Sequence, residues 1–494
     1  MIGHRLRRRA ARLAWGGAAG QRVAPAGGVI AAKGRLGFLV GMVGMVCTAF
    51  MLSAAARAMD SGRTHATAED QATVEWTITS DRWYRFTLND EPCGSMRITT
   101  QTSADGALRR SASELRMRFR RAGSVVSMTL SSWFEETASG QPRQAMSRQA
   151  MGDQPVEQHF RFDTEDRNRV TVRSTQDGRS RESTLTLAPD GWLTPLVADR
   201  VAASRRSANS REFTVTTVDL SAGIQVVERR ARLGDREIPV TVWEVTDSLN
   251  QVPSVEEWSS DGVLMRSVLV MPLGRVEATL VEKAEADAAL KGAAAEVMVS
   301  TLVRPDRPIR DASGVAMARF RIRTIDGAAI ELPESGAQRV SRLAPDQVEV
   351  TVDERLASPP SEEDRLSERY RRASVMIDSD DEAIQSLATR TLRSLRQADD
   401  ERRVEALRSA VYRHIRRKGL DSAFATASET VRSRSGDCTE HAVLLAALLR
   451  AEGIPARVVM GLVYCQEFAG ERDVFGWHMW TQALLERGWV DFDA

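Results

Sequence analysis

Residues Arg432–Arg457 read RSRSGDCTEHAVLLAALLRAEGIPAR, and the reading of the C-terminal part of the chain turns on this stretch. Asp437 is a residue type that caps helix N-termini, and Glu440 three positions later completes a capping-box pattern. Cys438 then falls at the first helical position. Ala442, Leu445, Ala446, Leu448 and Leu449 make the helix a buried one, and Gly453 with Pro455 ends it. The placement has chemical content. The thiolate is the nucleophilic form of cysteine, and a helix N-terminus offers it backbone N–H groups and a partial positive charge. The same N–H groups are placed to stabilise an oxyanion on a substrate carbonyl. A cysteine by itself reads more simply as a small buried hydrophobe; the residues downstream decide against that.

Downstream, Arg457–Tyr464 (RVVMGLVY) reads as a strand, followed by a loop with Gly470 and Gly476. Trp477–Leu485 reads as a second strand, Glu486-Arg487-Gly488 as a turn, and Trp489–Asp493 as the return strand. Period-two alternation puts Trp489, Asp491 and Asp493 on one face and turns Val490 and Phe492 to the core. Such a hairpin brings His478 and an aspartate together, able to supply a base and its orienting acid to the helix-borne Cys438.

Four blocks in order carry a resemblance: Gly436-Asp437-Cys438-x-Glu440-His441-Ala442; Arg450-Ala451-x-Gly453-Ile454-Pro455-Ala456-Arg457-x-Val459-x-Gly461; His478-x-Trp480; and Gly488-Trp489-x-x-x-Asp493. Together they resemble the transglutaminase-like core of bacterial proteins, a papain-related thiol-enzyme fold. The resemblance implies Cys438 as nucleophile, His478 as base and Asp493 as the third member, preferred over Asp491 because it stands four residues after the Trp of the Gly-Trp pair. It gives His441 no role as the base, leaving packing or support. Trp480 and Gln482 are candidates by strand position for a second oxyanion donor. The family core continues past this aspartate with further strand, whereas this chain stops at Ala494; either the sequence is a fragment or the domain lacks its last elements.

The rest of the chain is read from its composition and pattern. The 494 residues suggest about three units, and a formal net charge of +1 gives no bulk attraction to nucleic acid. The 4 cysteines make no disulfide framework. Cys47 lies in an apolar run; a Cys93–Cys465 disulfide is open in an oxidising compartment. Residues 1–58 read as a targeting segment. Basic residues at Arg5, Arg7–Arg9, Arg12, Lys33 and Arg35 precede the uncharged run Leu36–Leu52, and Ala56-Arg57-Ala58 has the small-x-small pattern of a cleavage site. A signal peptide with a long basic lead and an uncleaved anchor through 36–52 are both open. Either places the remainder outside the cytoplasm.

Residues 59–72 read as a linker. Residues 73–290 alternate in short runs, such as Thr73–Ile78, Tyr84–Leu88, Arg169–Arg173, Pro239–Val245 and Leu264–Val270, separated by Asp-Gly turns. That pattern predicts an antiparallel all-β domain without helices, either a curved sheet or a barrel. Ala284–Glu296 reads as a short helix or linker, and 291–358 as a small β-rich segment with strands at Glu296–Leu302, Ala316–Thr324 and Gln347–Val352. From 359 to 494 the period becomes helical and leads into the motif region, whose core spans about 420–494. The helices expected are a charged one from Ser361 through Arg372, one capped by Ser379–Glu382, and one over Arg402–Lys418 ended by Gly419. The predicted class is therefore multidomain: an N-terminal all-β domain and a C-terminal α+β papain-like transglutaminase core.

The function expected from the site is an extracytoplasmic thiol enzyme that acts on amide bonds of a protein or peptide through an acyl-enzyme. Hydrolysis by a protease or amidase comes first. Transfer of a glutamine acyl group to an amine uses the same residues, and a non-catalytic envelope module is the reading from another class. No cofactor is expected, and Cys438, Cys465, His441 and His478 lack zinc-type spacing, so no metal is expected either.

Overall fold

The computed structural model describes residues 74–494, with breaks at 122–123, 152–153, 209, 222, 238–239, 250–251, 272–273, 293, 325–326, 328 and 420–423, and three short strands before residue 33. The apolar run Leu36–Leu52 and the expected linker 59–72 lie outside the described residues. Among the described residues no helix is long and apolar enough to cross a membrane. The chain divides into two compact units. Gly37–Arg120 with Val125–Glu296 form one; Val297–Ala494, with Arg121–Ser124 and the N-terminal 36 residues, form the other.

The first unit is a meander of antiparallel strands. In chain order they are β1 (Trp76–Leu88), β2 (Glu91–Ser103), β3 (Leu108–Arg121), β4 (Ser124–Thr137), β5 (Pro142–Ala150), β6 (Val156–Phe162), β7 (Arg169–Gln176) and β8 (Arg179–Thr186). After helix α1 (Pro195–Ser207) come β9 (Glu212–Asp219), β10 (Gln225–Glu237), β11 (Thr241–Asp247), β12 (Ser254–Trp258), β13 (Leu264–Met271) and β14 (Gly274–Val281). The spatial order runs β8 to β1, then β14 to β9, because β1 pairs with β14. Alternation sets the core face: Tyr84, Phe86 and Leu88 of β1 are buried, as are Leu115, Met117 and Phe119 of β3. Phe134, Phe160, Phe162 and Trp192 pack at its centre.

The fold class agrees with the sequence reading, with local corrections. Thr73–Ile78 and Tyr84–Leu88 are not two short strands but one long one, β1, which absorbs the polar residues between them with a bulge between Ile78 and Ser80. The domain is not free of helix. Thr194 in extended geometry with Pro195 at N1 starts α1, and Ala198 and Ala202 pack it on Val215 of β9. Helix α2 (Lys283–Ala289) fills the start of the stretch expected as short helix or linker.

The second unit opens with a three-stranded antiparallel sheet in the order β15 (Met317–Arg323), β17 (Gln347–Asp353), β16 (Gln338–Ala344), whose core is Val348, Val350 and Val352. Of the strand expected at Glu296–Leu302 only Glu296 is in a strand, the two-residue Ala295–Glu296, and Val299–Thr301 is a 3-10 turn. The charged helix expected through Arg372 stops at Leu366 in α3 (Glu362–Leu366) and gives way to a 3-10 turn. Three helices follow: α4 (Glu382–Thr391), α5 (Asp400–His414) and α6 (Ala427–Ser433). Helix α5 ends before Gly419 because Ile415 already turns extended, φ −77° and ψ 107°. Then come α7 (Cys438–Ala451), β18 (Ala456–Phe468), β19 (Glu471–Leu485) and β20 (Gly488–Phe492), the strands pairing in that order. Two of the short N-terminal strands pair with β18.

Helix α7 is enclosed: Val443 to Leu449 are all fully buried, and Thr481 Oγ1 of β19 donates to the Ala442 carbonyl at 2.9 Å. Its C-terminus closes as a Schellman motif, the Ile454 N–H reaching Leu449 O at 2.9 Å and the Gly453 N–H reaching Arg450 O at 3.0 Å. Gly453 takes φ +77° with open space where a Cβ would stand. Gly453→Ala is therefore expected to cost about 1 kcal/mol from backbone strain alone, read as a lower urea midpoint at unchanged slope.

Candidate active site

The site starts from the cap of α7. Asp437 is extended, φ −107° and ψ −156°, and its Oδ1 accepts the Thr439 N–H at 2.8 Å. Glu440 Oε2 accepts the Asp437 N–H at 2.8 Å, closing the expected capping box. Its other oxygen accepts the Ala425 N–H at 3.0 Å. Burial, with the Asp437 charge beside it, pushes the Glu440 carboxyl upward. Arg121, which belongs to this unit by its contacts, donates from Nη2 to Asp437 Oδ2 at 2.6 Å, both side chains being buried. Nothing local in the sequence marks Arg121 as a neighbour of Cys438. The cap thus places Cys438 in the first turn of α7.

His478 lies on β19 opposite Gly461 of β18 and is 5% exposed. Its Nε2 stands 3.0 Å from Asp493 Oδ2, and Cys438 is close enough to help raise its pKa. An imidazole has two nitrogens, so with Nε2 on the carboxylate Nδ1 is the one left for other partners. Burial works against the charged imidazole. The Asp493 charge and hydrogen bond, with the contact to Cys438, outweigh it and hold the His478 pKa well above its ordinary value. Asp493 is anchored by its backbone: its carbonyl accepts Arg408 Nη1 at 3.1 Å. The structure therefore brings together Cys438, His478 and Asp493.

Asp491, the other aspartate of the hairpin, is directed elsewhere. Its Oδ1 accepts Trp480 Nε1 at 2.7 Å and Gln482 Nε2 at 2.8 Å, and its Oδ2 accepts the Ala337 N–H at 2.8 Å. Trp480 and Gln482 are consequently not free to serve as oxyanion donors. Gln482 is fully buried, and its Oε1 takes Arg457 Nε at 2.9 Å. The expected face pattern of β20 is also corrected. Trp489 is 1% exposed, because Tyr370 and Arg457 cover its ring at centroid distances of 5.0 and 3.9 Å, while Phe492 is only half-buried.

His441 points away from the thiol chemistry. Its Nδ1 lies 2.7 Å from the Ala494 carbonyl, which requires the Nδ1–H tautomer. Burial, with Lys418 nearby, lowers its pKa to about 4. Cys93, Cys438 and Cys465 are free thiols. Burial pushes the Cys93 thiol up to about 12 and Cys465 up to about 11. Among the described residues no group of three His, Cys, Asp or Glu is arranged to hold a metal ion.

Comparison with known proteins bears on the same region. Residues 386–494 match the family model of the transglutaminase-like superfamily. These residues form a transglutaminase-like domain. No curated protein matches the chain. Among solved structures, a beta-barrel-like protein of a domain of unknown function from Brucella abortus is similar at 13% identity, over 42% of this chain and 96% of that one, with a TM-score of 0.32. A "Putative Cysteine Protease" from Cytophaga hutchinsonii is similar at 17% identity, over 39% and 68%, with a TM-score of 0.23. The periplasmic domain of TgpA from Pseudomonas aeruginosa, bound to ethylmercury, is similar at 19% identity, again over 39% and 68%, with a TM-score of 0.21. Helices α4 to α7 and strands β18 to β20 all fall within the matched transglutaminase-like residues, apart from the first four residues of α4.

Proposed function

We propose that the transglutaminase-like domain is a thiol hydrolase that cleaves amide bonds of a protein or peptide, with Cys438 as nucleophile, His478 as general base and acid, and Asp493 as the group that orients His478. The observation that carries the reading is the buried imidazole of His478, held at 3.0 Å by Asp493 and close to Cys438 at a helix N-terminus.

The chemistry balances with these residues alone. The Cys438 sulfur attacks the substrate carbonyl carbon, and the carbonyl π pair moves to oxygen. Collapse breaks the C–N bond, and the His478 imidazolium gives its proton to the departing amine, leaving a thioester on Cys438. Water then attacks the thioester, His478 takes a water proton, and the C–S bond breaks to release the acid. The proton on His478 and the sulfur charge restore the starting pair. Asp493 keeps the ring in one tautomer and supports its positive charge. The basic lead and apolar run at 36–52 support an extracytoplasmic location, where exported or envelope polypeptides are the accessible substrates.

The test uses the full chain incubated with an unfolded protein such as reduced casein, with new N-termini counted, in parallel with a primary amine carrying a reporter. New N-termini formed by wild type and lost in Cys438→Ala support hydrolysis. Amine incorporated without new N-termini would make the enzyme an acyl transferase. Cleavage that persists in Cys438→Ala would overturn the assignment of the nucleophile.

A further inference from the structure

Besides Asp493, a second carboxylate bears on His478, at one remove. His478 and Trp480 share a face of β19, and their rings stack nearly parallel, 16° apart with centroids at 6.2 Å. Trp480 is 3% exposed, and its indole N–H ends on Asp491 Oδ1 at 2.7 Å. The three hydrogen-bond partners of Asp491 named above are all N–H donors, from Trp480, Gln482 and Ala337. Burial pushes the Asp491 carboxyl upward, and these three donors work against that by favouring the charged form.

The carboxylate is itself gripped from two sides. Gln482 is its register partner across the β19–β20 pair, and Gln482 Nε2 also donates to Ser335 Oγ at 3.0 Å. The turn before β16 closes the other side: a Cβ on Gly336, at φ +55°, would fall within 2.5 Å of the Asp491 carboxyl carbon and the Gln482 amide nitrogen. Two segments more than 140 residues apart in the chain meet here, Ser335 and Gln482 being separated by 147 positions. A buried network of this kind fixes rotamers when all its members are satisfied.

We infer that Asp491 is a positioning residue for the base: it locks the Trp480 indole, and draws electron density toward its π face, so that the ring stacks on His478 and favours the imidazolium over the neutral ring. The physics is the cation–π attraction of a protonated imidazole for an indole face in a desolvated setting. The charged and titratable groups around the pair are few. Asp493 and Cys438 face His478 directly, Cys465 feels it at longer range, and Arg457 is the cation nearest Asp491 in effect. Asp493 supplies the charge that pairs with His478; Asp491 supplies the orientation of the ring beneath it.

The inference rests on the proposed thiolate–imidazolium pair, and one experiment separates the two. Iodoacetamide alkylation of Cys438 is followed by peptide mass from about pH 5 to about pH 9, in wild type, Asp491→Asn and Trp480→Phe. Trp480→Phe keeps an aromatic ring on the same face, reduces the indole to a benzene ring and removes the N–H that Asp491 accepts. The expected result is a rate about two- to fivefold lower near the acid end in both variants, with wild-type rates at the alkaline end, a shift of the profile to higher pH. Trp480→Phe alone decides the matter where Asp491→Asn does not fold. A profile in Trp480→Phe that overlays wild type overturns the positioning role. Equal slowing at every pH, with Cys93 and Cys465 becoming reactive, overturns it in favour of a purely structural one. A wild-type Cys438 that reacts at the acid end no faster than the same peptide unfolded defeats the thiolate–imidazolium reading itself.

Discussion

Replacing His478 with alanine is expected to lower amide turnover about 10³-fold and to slow alkylation of Cys438 near pH 6 by about tenfold or more. The two numbers have different origins. At about pH 6 an ordinary thiol with a pKa near 8.5 is thiolate in about one molecule in 300. A thiol whose proton resides on a neighbouring imidazole is thiolate in most molecules, but each such thiolate is a weaker nucleophile, which returns part of the gain. The net loss in alkylation is therefore smaller than the loss in turnover, where the variant also lacks the acid that protonates the leaving amine. Cys93 and Cys465 stay silent near pH 6, because burial holds both thiols at about 11 to 12. The peptide carrying Cys438 is thus read without interference from them. Asp493→Asn belongs to the same series: it keeps the size of the side chain and removes the charge that, with the Asp493 hydrogen bond and Cys438, outweighs burial at His478. Its alkylation loss should be intermediate, and its turnover loss should approach that of His478→Ala if the imidazole turns to the wrong tautomer. A His478→Ala protein that alkylates at the wild-type rate near pH 6 would show that the helix N-terminus activates the sulfur without the imidazole.

How far the sequence exposes this site depends on how local each determinant is. Asp437, Cys438 and Glu440 lie within four positions of one another, and their capping pattern is a short-range property of the chain, so the start of α7 is legible from residues alone. His478 and the two aspartates are placed on one hairpin by alternation, but alternation puts Asp491 and Asp493 on the same side and cannot choose between them. The choice is made in the structure by the turn at Ser335–Ala337, far away in sequence, which brings the Ala337 N–H to Asp491 and leaves Asp493 for His478. For the same reason Trp480 and Gln482 read as free donors in sequence and are spent in the fold. Trp489 was placed outside by alternation and is buried because Tyr370 and Arg457, from other elements, cover it. Helix α1 was legible in principle, through Thr194 and Pro195. Its weakly amphipathic face, with Asp199 buried beside Ala198 and Ala202, hides it among strands. Arg121 is the extreme case: it reaches Asp437 across 316 positions with no local signal at all.

His441→Asn is expected to make the protein more resistant to acid, by about 3 kcal/mol at the limit, and the sign follows from which state takes up the proton. In the unfolded chain His441 titrates at its ordinary value of 6.5; in the folded chain burial and the nearby Lys418 lower it to about 4. Between those values the unfolded state binds more protons than the folded one, so stability rises with pH across that window and falls as the solution is acidified through it. Above about pH 6.5 the group is neutral in both states and contributes nothing to the slope. A difference of about 2.5 units corresponds to about 3 kcal/mol, fully lost once the pH is below about 4. Asp378 acts in the opposite sense in part of the same range, since burial raises its carboxyl to about 6, so the wild-type curve alone does not isolate His441. The difference between wild type and His441→Asn does, because Asp378 is present in both. Asparagine can still donate an N–H toward the Ala494 carbonyl that His441 Nδ1 meets at 2.7 Å, so the fold keeps that contact while losing the titrating group. Urea midpoints measured from about pH 7 down to about pH 4 should coincide for the two proteins at the neutral end and diverge steadily below about pH 6.5, with the variant the more stable. Curves that stay parallel through that window would show that His441 takes up its proton as readily folded as unfolded, and the helix bearing Cys438 would then carry a second charged imidazole at the pH where His478 is read.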